Sequence, residues 1–235
     1  MKILEKMLVD TSKYLDYSTN KTIHFLRIDP EDLSIAIRDI LIELADLSWL
    51  NKFDRDFLKE SFKVNAQKTC NALKEKFYDD EENPIISEAG EYIVSVCAKR
   101  GVVEELNFLD IPLSELLGRK KIGNPGFDFY VENKTEKMLV CGESKYIHNQ
   151  NAYGSSLEQI NRFINDDKHK GDIALLTFLA SDSSLQNMSD GKFGVCAAFS
   201  STKISTNNLI KHILGNVDFM KCLQYEFIIL VAVNI

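Results

Sequence analysis

The sequence predicts an α/β (α+β) fold in which a central mixed β-sheet is flanked by helices. Short runs rich in β-branched and aromatic residues alternate along the chain with longer segments whose apolar residues recur at helical spacing. Two of the short runs are separated only by a polar, turn-prone stretch, which is typical of a β-hairpin. A hairpin followed by alternating helices and strands predicts a sheet that contains both antiparallel and parallel neighbours.

Residues 1–83 are predicted to form a mainly helical N-terminal region. Lys21–Ile28 is typical of a strand, and Asp29-Pro30-Glu31-Asp32 combines an acceptor, a proline and acidic residues in the way that begins a helix, which should end near Asn51. A second helix is predicted from Asp54 to about Phe77. The acidic, proline-ended run Asp79–Pro84 is the best candidate for a boundary.

Residues 84–235 are predicted to form a second unit that contains most of the sheet. The expected helices are one that opens at Ile85, one over Ser155–Ile164 with a serine cap, and a short one from Asn207 to Leu214 that ends at Gly215. The expected strands beyond the hairpin are Asp172–Ala180, Phe193–Ser200 and Tyr225–Val233. The first of these is apolar throughout, and its length favours a strand although its Ala and Leu residues favour a helix.

The predicted hairpin consists of Gly126–Val131, the polar loop Glu132–Glu136 and Lys137–Lys145. A turn centred between Lys134 and Thr135 would place Asp128 opposite Cys141. Side chains alternate along a strand, so Cys141, Glu143 and Lys145 share one face, and Asp128 would join that face one diagonal step from Glu143.

Two carboxylates and one lysine are therefore expected to converge at one end of the hairpin. One explanation is a strand end that emerges into water, with Glu143 and Lys145 as an ion pair. The other is a site for a divalent cation, because hard cations prefer oxygen ligands and a nearby ammonium can hold an attacking water.

Pro125-Gly126-Phe127-Asp128 followed by Glu143-Ser144-Lys145 resembles the motif of the PD-(D/E)xK nuclease superfamily, whose core is restriction-endonuclease-like. The resemblance covers roughly Ile85 to Ile235. It implies a metal-dependent endonuclease in which Asp128 and Glu143 bind Mg²⁺, with Mn²⁺ as a substitute and the Ser144 carbonyl as a further ligand. Lys145 would position the attacking water or help to deprotonate it.

The same resemblance suggests roles for residues outside the hairpin. An acidic residue on the preceding helix often joins the metal site in this superfamily; Glu91 is the better match, and Glu88 lies one turn away. Gln159 occupies the place of a glutamine that some of these nucleases carry near the active site, and the alternative is a solvent-facing side chain. A dense basic cluster just before the motif suits a phosphate contact or a solvated loop, and consists of Arg119, Lys120 and Lys121.

The Gly-Glu helix, the Gly-Phe-Asp strand and the Gly-Glu-Ser-Lys strand are similar to those of the Hachiman nuclease subunit of bacterial anti-phage defence. That resemblance implies a DNA substrate and a helicase or another defence-system subunit as partner. A stand-alone restriction endonuclease and a non-catalytic interaction subunit that keeps a nuclease-like fold are the alternatives. A homo-oligomer also stays open.

Composition sets limits on other functions. The net charge of −7 argues against a general nucleic-acid binder, although a local basic groove can coexist with an acidic remainder. The five cysteines are scattered without a CxxC pair, which argues against zinc and disulfide frameworks. No apolar run approaches the ~20 residues of a membrane helix, and no signal-peptide pattern opens the chain, so a cytoplasmic protein without membrane contact is expected.

Overall fold

The computed structural model describes residues 1–15, 19–78, 87–114, 116–117, 126–202 and 204–235. Seven strands in this part of the chain form one sheet in the order β1-β2-β7-β6-β5-β4-β3. The strands are β1 (Lys2–Leu8), β2 (Thr22–Asp29), β3 (Leu109–Asp110), β4 (Phe129–Asn133), β5 (Met138–Lys145), β6 (Gly194–Ser200) and β7 (Phe227–Val233).

The sheet is of mixed direction, as the sequence predicts. Strands β2, β7, β6 and β5 are parallel to one another, whereas β1 pairs antiparallel with β2, β4 pairs antiparallel with β5, and β3 pairs antiparallel with β4. Parallel neighbours require crossover connections, and helices fill these connections between β5, β6 and β7.

Helices cover both faces of the sheet. They are α1 (Leu33–Ala45), α2 (Asp56–Tyr78), α3 (Ser87–Leu106), α4 (Tyr153–Asn165), α5 (Lys168–Leu176), α6 (Asp182–Ser189), α7 (Thr206–Leu214) and α8 (Val217–Cys222). Helices α1, α2 and α3 pack in one apolar cluster, and α4 to α8 contribute to the other. Successive residues of β7 alternate between the two clusters, as Ile228 and Ile229 show, so the central strands are buried on both faces.

The N-terminal part of the chain contributes two strands to the same sheet. Strand β2 was expected from its apolar pattern, whereas the edge strand β1 was not. Buried Arg27 of β2 donates hydrogen bonds to the carbonyls of Ile204 and Thr202 and to the side chains of Thr206 and Asn234. The division at residue 83 stays a prediction, since residues 79–86 lie outside the described part.

The predicted strand Asp172–Ala180 is wrong, because its first half belongs to α5. His169, Asp172 and Leu176 are the buried residues of this helix, and they recur at the spacing of one helical face. The two polar members of that face concealed the helical period, so the apolar run alone looked like a strand.

The ends of two helices differ from those predicted, and two helices, α6 and α8, were missed. Helix α1 ends at Ala45, and Ser48–Lys52 form a separate short 3₁₀ helix. Helix α4 begins at Tyr153, so Ser155 and Ser156 lie inside it and do not cap it. Helix α8, which was not predicted, is capped by the Asn216 side chain.

Among the described residues, none of the helices combines the length and apolar character needed to cross a membrane.

Candidate active site

The β4–β5 hairpin has a register that differs by two residues from the predicted one. Cys141 lies opposite Tyr130, and Phe129 lies opposite Gly142, so the turn is centred between Thr135 and Glu136. A shift of two residues preserves the face of every side chain. The paired residues of the hairpin end at Phe129 and Gly142, so this shift leaves the predicted sharing of one face by Asp128 and Glu143 unchanged, and that sharing stays a prediction.

Asp128 is anchored to β5 just before β4 begins. Its backbone N–H donates to the Gly142 carbonyl at 2.9 Å, and its carboxylate Oδ2 accepts the backbone N–H of Ser144 at 2.7 Å. Both Asp128 and Glu143 are buried. Buried carboxylates are costly unless neighbouring groups stabilise them, and the Ser144 N–H does this for Asp128. Whether the Ser144 carbonyl serves as a metal ligand stays a prediction.

Lys145 ends β5 and joins two carboxylates. Its Nζ lies 3.2 Å from Glu143 Oε1 and 3.0 Å from Oε1 of Glu91 on α3. The Glu143 side chain is closed to solvent, whereas those of Lys145 and Glu91 retain 17% and 30% of their exposure. The ammonium therefore stands between a buried carboxylate and one at the rim of the site.

The charge state of Lys145 follows from these neighbours. Burial by itself would lower the pKa of the ammonium, but the carboxylates of Glu143, Glu91 and Asp128 outweigh it and raise the pKa above its ordinary value. Lys145 is consequently a fixed cation at neutral pH. In this state it can donate hydrogen bonds to an anion or to water.

Helix α4 brings Gln159 toward the same end of the sheet. The Ser156 hydroxyl donates to the Glu143 carbonyl at 2.8 Å, which fixes this face of α4 against the end of β5. Gln159 lies three residues further along and therefore on the same side of the helix, where it is partly exposed. Ser156 was expected only near a helix cap, and no sequence pattern indicated its contact with the strand.

The segment after β5 adds polar groups to this end of the sheet. The Tyr146 hydroxyl is 3.2 Å from His148 Nδ1, and His148 Nε2 is 2.7 Å from Asn149 Nδ2. These residues follow Lys145 directly, at the carboxyl end of a parallel strand. Ligands of open α/β sheets commonly bind in the crevice outside such strand ends.

Three predicted phosphate contacts cannot be placed. Arg119, Lys120 and Lys121 lie outside the described residues, as does Pro125 of the motif. The side chain of Glu88 is not described either, so the structure does not compare Glu88 with Glu91 as the acidic residue that α3 brings to the site. Glu91 does contact Lys145.

The fit of this donor set to a metal can be tested from its chemistry. Within the described ranges, no three His, Cys, Asp or Glu residues come together in a way that could hold a metal ion. Mg²⁺ is rarely held by an all-protein cage; it is usually bound by one or two carboxylates together with waters and substrate phosphates. The pair Asp128 and Glu143 fits that second mode.

No protein-family model matches the chain, and no curated protein or solved structure is significantly similar to it.

Proposed function

We propose that this protein is a metal-dependent endonuclease that hydrolyses phosphodiester bonds of DNA. The observation that carries the proposal is the meeting of two buried carboxylates, Asp128 and Glu143, with the Lys145 ammonium at the end of one hairpin. Isolated carboxylates are rarely buried on a strand that is otherwise apolar. A strand end that merely enters water does not explain a Glu143 side chain with no exposure.

Each of the three residues would have a separate role in hydrolysis. Asp128 and Glu143 would hold Mg²⁺, or Mn²⁺ in its place, and the bound ion would supply positive charge to the scissile phosphate and to the attacking water. Lys145 would donate a hydrogen bond that orients the water or neutralises the phosphate oxygen. The positioning role and the deprotonating role that the family resemblance implies for Lys145 both stay predictions.

The substrate and partner follow from charge and from the family resemblance. A chain with a net charge of −7 has little general affinity for a polyanion. A partner that delivers the DNA, such as a helicase of an anti-phage defence system, would compensate for that weakness. A stand-alone restriction endonuclease would instead need its own basic groove beside the site.

The test is cleavage of supercoiled and linear DNA by the purified protein with Mg²⁺, Mn²⁺ or EDTA. Asp128→Asn, Glu143→Gln and Lys145→Met are each expected to reduce the cleavage rate by about 100-fold or more. Glu136→Gln is the matched control, because Glu136 lies in the exposed turn at the opposite end of the same hairpin.

Three outcomes distinguish a nuclease from a non-catalytic interaction subunit. Loss of cleavage in the three site variants, with a normal rate in Glu136→Gln, supports the nuclease. Equal cleavage by all variants removes this site as the source of the activity. Absence of cleavage, together with Mg²⁺ binding that does not depend on Asp128 and Glu143, would favour an interaction subunit with a nuclease-like fold.

A further inference from the structure

The charges around Lys145 form a row that runs from the interior to the rim of the site. Glu143 is innermost with no exposure, the ammonium follows at 3.2 Å, and the Glu91 carboxylate follows at 3.0 Å from the same nitrogen. One nitrogen therefore lies within ion-pair distance of both carboxylates. Glu91 Oε1 also accepts a hydrogen bond from this nitrogen, so the contact that Glu91 makes here is with the ammonium.

Gly90 is the residue that allows Glu91 to approach Lys145. A Cβ atom at Gly90 would overlap the aromatic ring of Tyr146, so only glycine lets α3 approach the end of β5 so closely. Gly90 and Glu91 are consecutive, as are Tyr146 and Lys145. The packing of Gly90 against Tyr146 thus brings Glu91 into contact with Lys145.

We infer that Glu91 is a positioning residue that holds the Lys145 ammonium at the site and that it contributes no ligand to the metal. A long lysine side chain loses considerable rotamer freedom when it is fixed in one geometry. A second carboxylate on the outer side of the ammonium confines it from two directions, so that its free hydrogens point where a water or phosphate would lie. The catalytic part of this inference rests on the proposed nuclease function, whereas the holding of Lys145 by Glu91 does not.

The first experiment detects the positioning directly and needs no activity. Protein labelled with ¹⁵N-lysine is examined by NMR for the ammonium signal of Lys145, assigned by its loss in Lys145→Met. Fixed, hydrogen-bonded ammonium groups exchange slowly enough to be observed, so the signal is expected in the wild type and in Glu104→Gln. Glu104 is an exposed carboxylate of the same helix and serves as the matched control.

Glu91→Gln is expected to abolish or broaden the signal, and Gly90→Ala is expected to do the same by moving α3. A Lys145 signal that is unchanged in both variants overturns the inference. Thermal unfolding of each variant shows that the chain is folded.

The second experiment separates a positioning residue from a metal ligand. Calorimetric titration with Mg²⁺ is expected to give an affinity for Glu91→Gln within about twofold of the wild type, whereas a lost ligand or a lost partner of a ligand typically costs about 10- to 100-fold. A drop of 10-fold or more in Glu91→Gln, comparable to that in Glu143→Gln, would make Glu91 a ligand and refute the assignment.

The third experiment asks whether Glu91 acts through Lys145. Glu91→Gln is expected to slow cleavage by about 10- to 100-fold with little change in KM, and the double variant Glu91→Gln/Lys145→Met should be no slower than Lys145→Met alone. Additive losses would show an independent role for Glu91 and contradict the inference. If the wild type cleaves nothing, the nuclease proposal fails, while the NMR result still decides whether Glu91 holds Lys145.

Discussion

At the scale of single residues, Gly142 shows how close packing shapes the candidate site. It precedes Glu143 and lies opposite Phe129, whose fully buried ring occupies the space that a Cβ atom would need. Gly142→Ala should therefore lower the free energy of unfolding by about 1–3 kcal/mol, because overpacking forces neighbouring side chains from their preferred rotamers. Urea unfolding monitored by circular dichroism measures this change.

Gly154→Ala is the control for the Gly142 substitution. A Cβ atom at Gly154 would meet only Asn216 Nδ2 at 3.7 Å, which is ordinary contact. Gly154 lies in the first turn of α4, where alanine has the better helix propensity. The control is expected to be neutral or to stabilise the protein by up to about 1 kcal/mol. Similar losses for both variants would show that the Phe129 ring does not decide the effect.

Ionisation of a buried thiol should lower the free energy of unfolding at alkaline pH. Burial raises the pKa of Cys97 from 9.0 to about 11, so the folded protein disfavours its thiolate. The stabilising contribution is complete below pH 9 and is lost as the pH rises through about 11, because the unfolded chain can ionise first. A shift of this size corresponds to at most about 3 kcal/mol.

The measurement compares wild type with Cys97→Ala by urea unfolding between pH 8 and pH 11. Tyr225, whose pKa burial raises to about 12, also contributes to the slope in both proteins, so only the difference between them reports on Cys97. The variant should lose less stability over this range than the wild type. Parallel curves would show that Cys97 ionises equally well in the folded and unfolded chains.

At the scale of elements, one buried carboxylate links the hairpin to a helix of the following crossover. Glu132 of β4 is buried, and its Oε1 accepts the Ser181 N–H at 3.2 Å, the Ser184 hydroxyl at 2.8 Å and the Ser181 hydroxyl. Ser181 is the N-cap of α6. The carboxylate thus adds negative charge at the end of the helix where the dipole is positive.

Glu132→Ala is expected to lower the free energy of unfolding by about 2–3 kcal/mol, since hydrogen bonds to a charged group are lost and serine hydroxyls remain buried. Glu132→Gln should cost less, because its amide oxygen can still accept the same hydrogen bonds. Chemical unfolding measures both variants. An equal loss in the two would mean that the negative charge, and not the accepting oxygen, stabilises the start of α6.

At the scale of the whole molecule, the patterns that predicted structure correctly are those that depend only on local sequence. Strands β6 and β7 were predicted because each is a continuous apolar run, which is the pattern of a strand buried on both faces, and β2 was predicted because β-branched and aromatic residues are frequent in it. Edge strand β1 alternates only between exposed and half-buried positions, and its pairing with β2 depends on a distant segment. Such a strand has no strong local pattern.

The candidate site was predictable in part for the same reason. The strand alternation that predicts a common face for Asp128 and Glu143 is unaffected by a register error of two residues. The register itself depends on the turn, where Lys137 adopts a left-handed conformation with φ of 53° that a run of polar residues does not reveal. The contact between Glu91 and Lys145 depends on where α3 crosses β5, and this crossing is a property of the assembled core.

Binding of Mg²⁺ by the assembled site should appear in the stability of the entire chain. A ligand that binds only the folded state stabilises it by RT ln(1 + [L]/Kd), which is about 1.4 kcal/mol when the ligand concentration is ~10 times Kd. For a chain of this length the corresponding rise in Tm is about 3–6 °C.

The shift in Tm from EDTA to saturating Mg²⁺ is measured by thermal unfolding, with Ca²⁺ as a second cation. It should vanish in Asp128→Asn and Glu143→Gln and persist in Glu136→Gln. A shift that persists in both site variants would place the bound cation elsewhere on the protein.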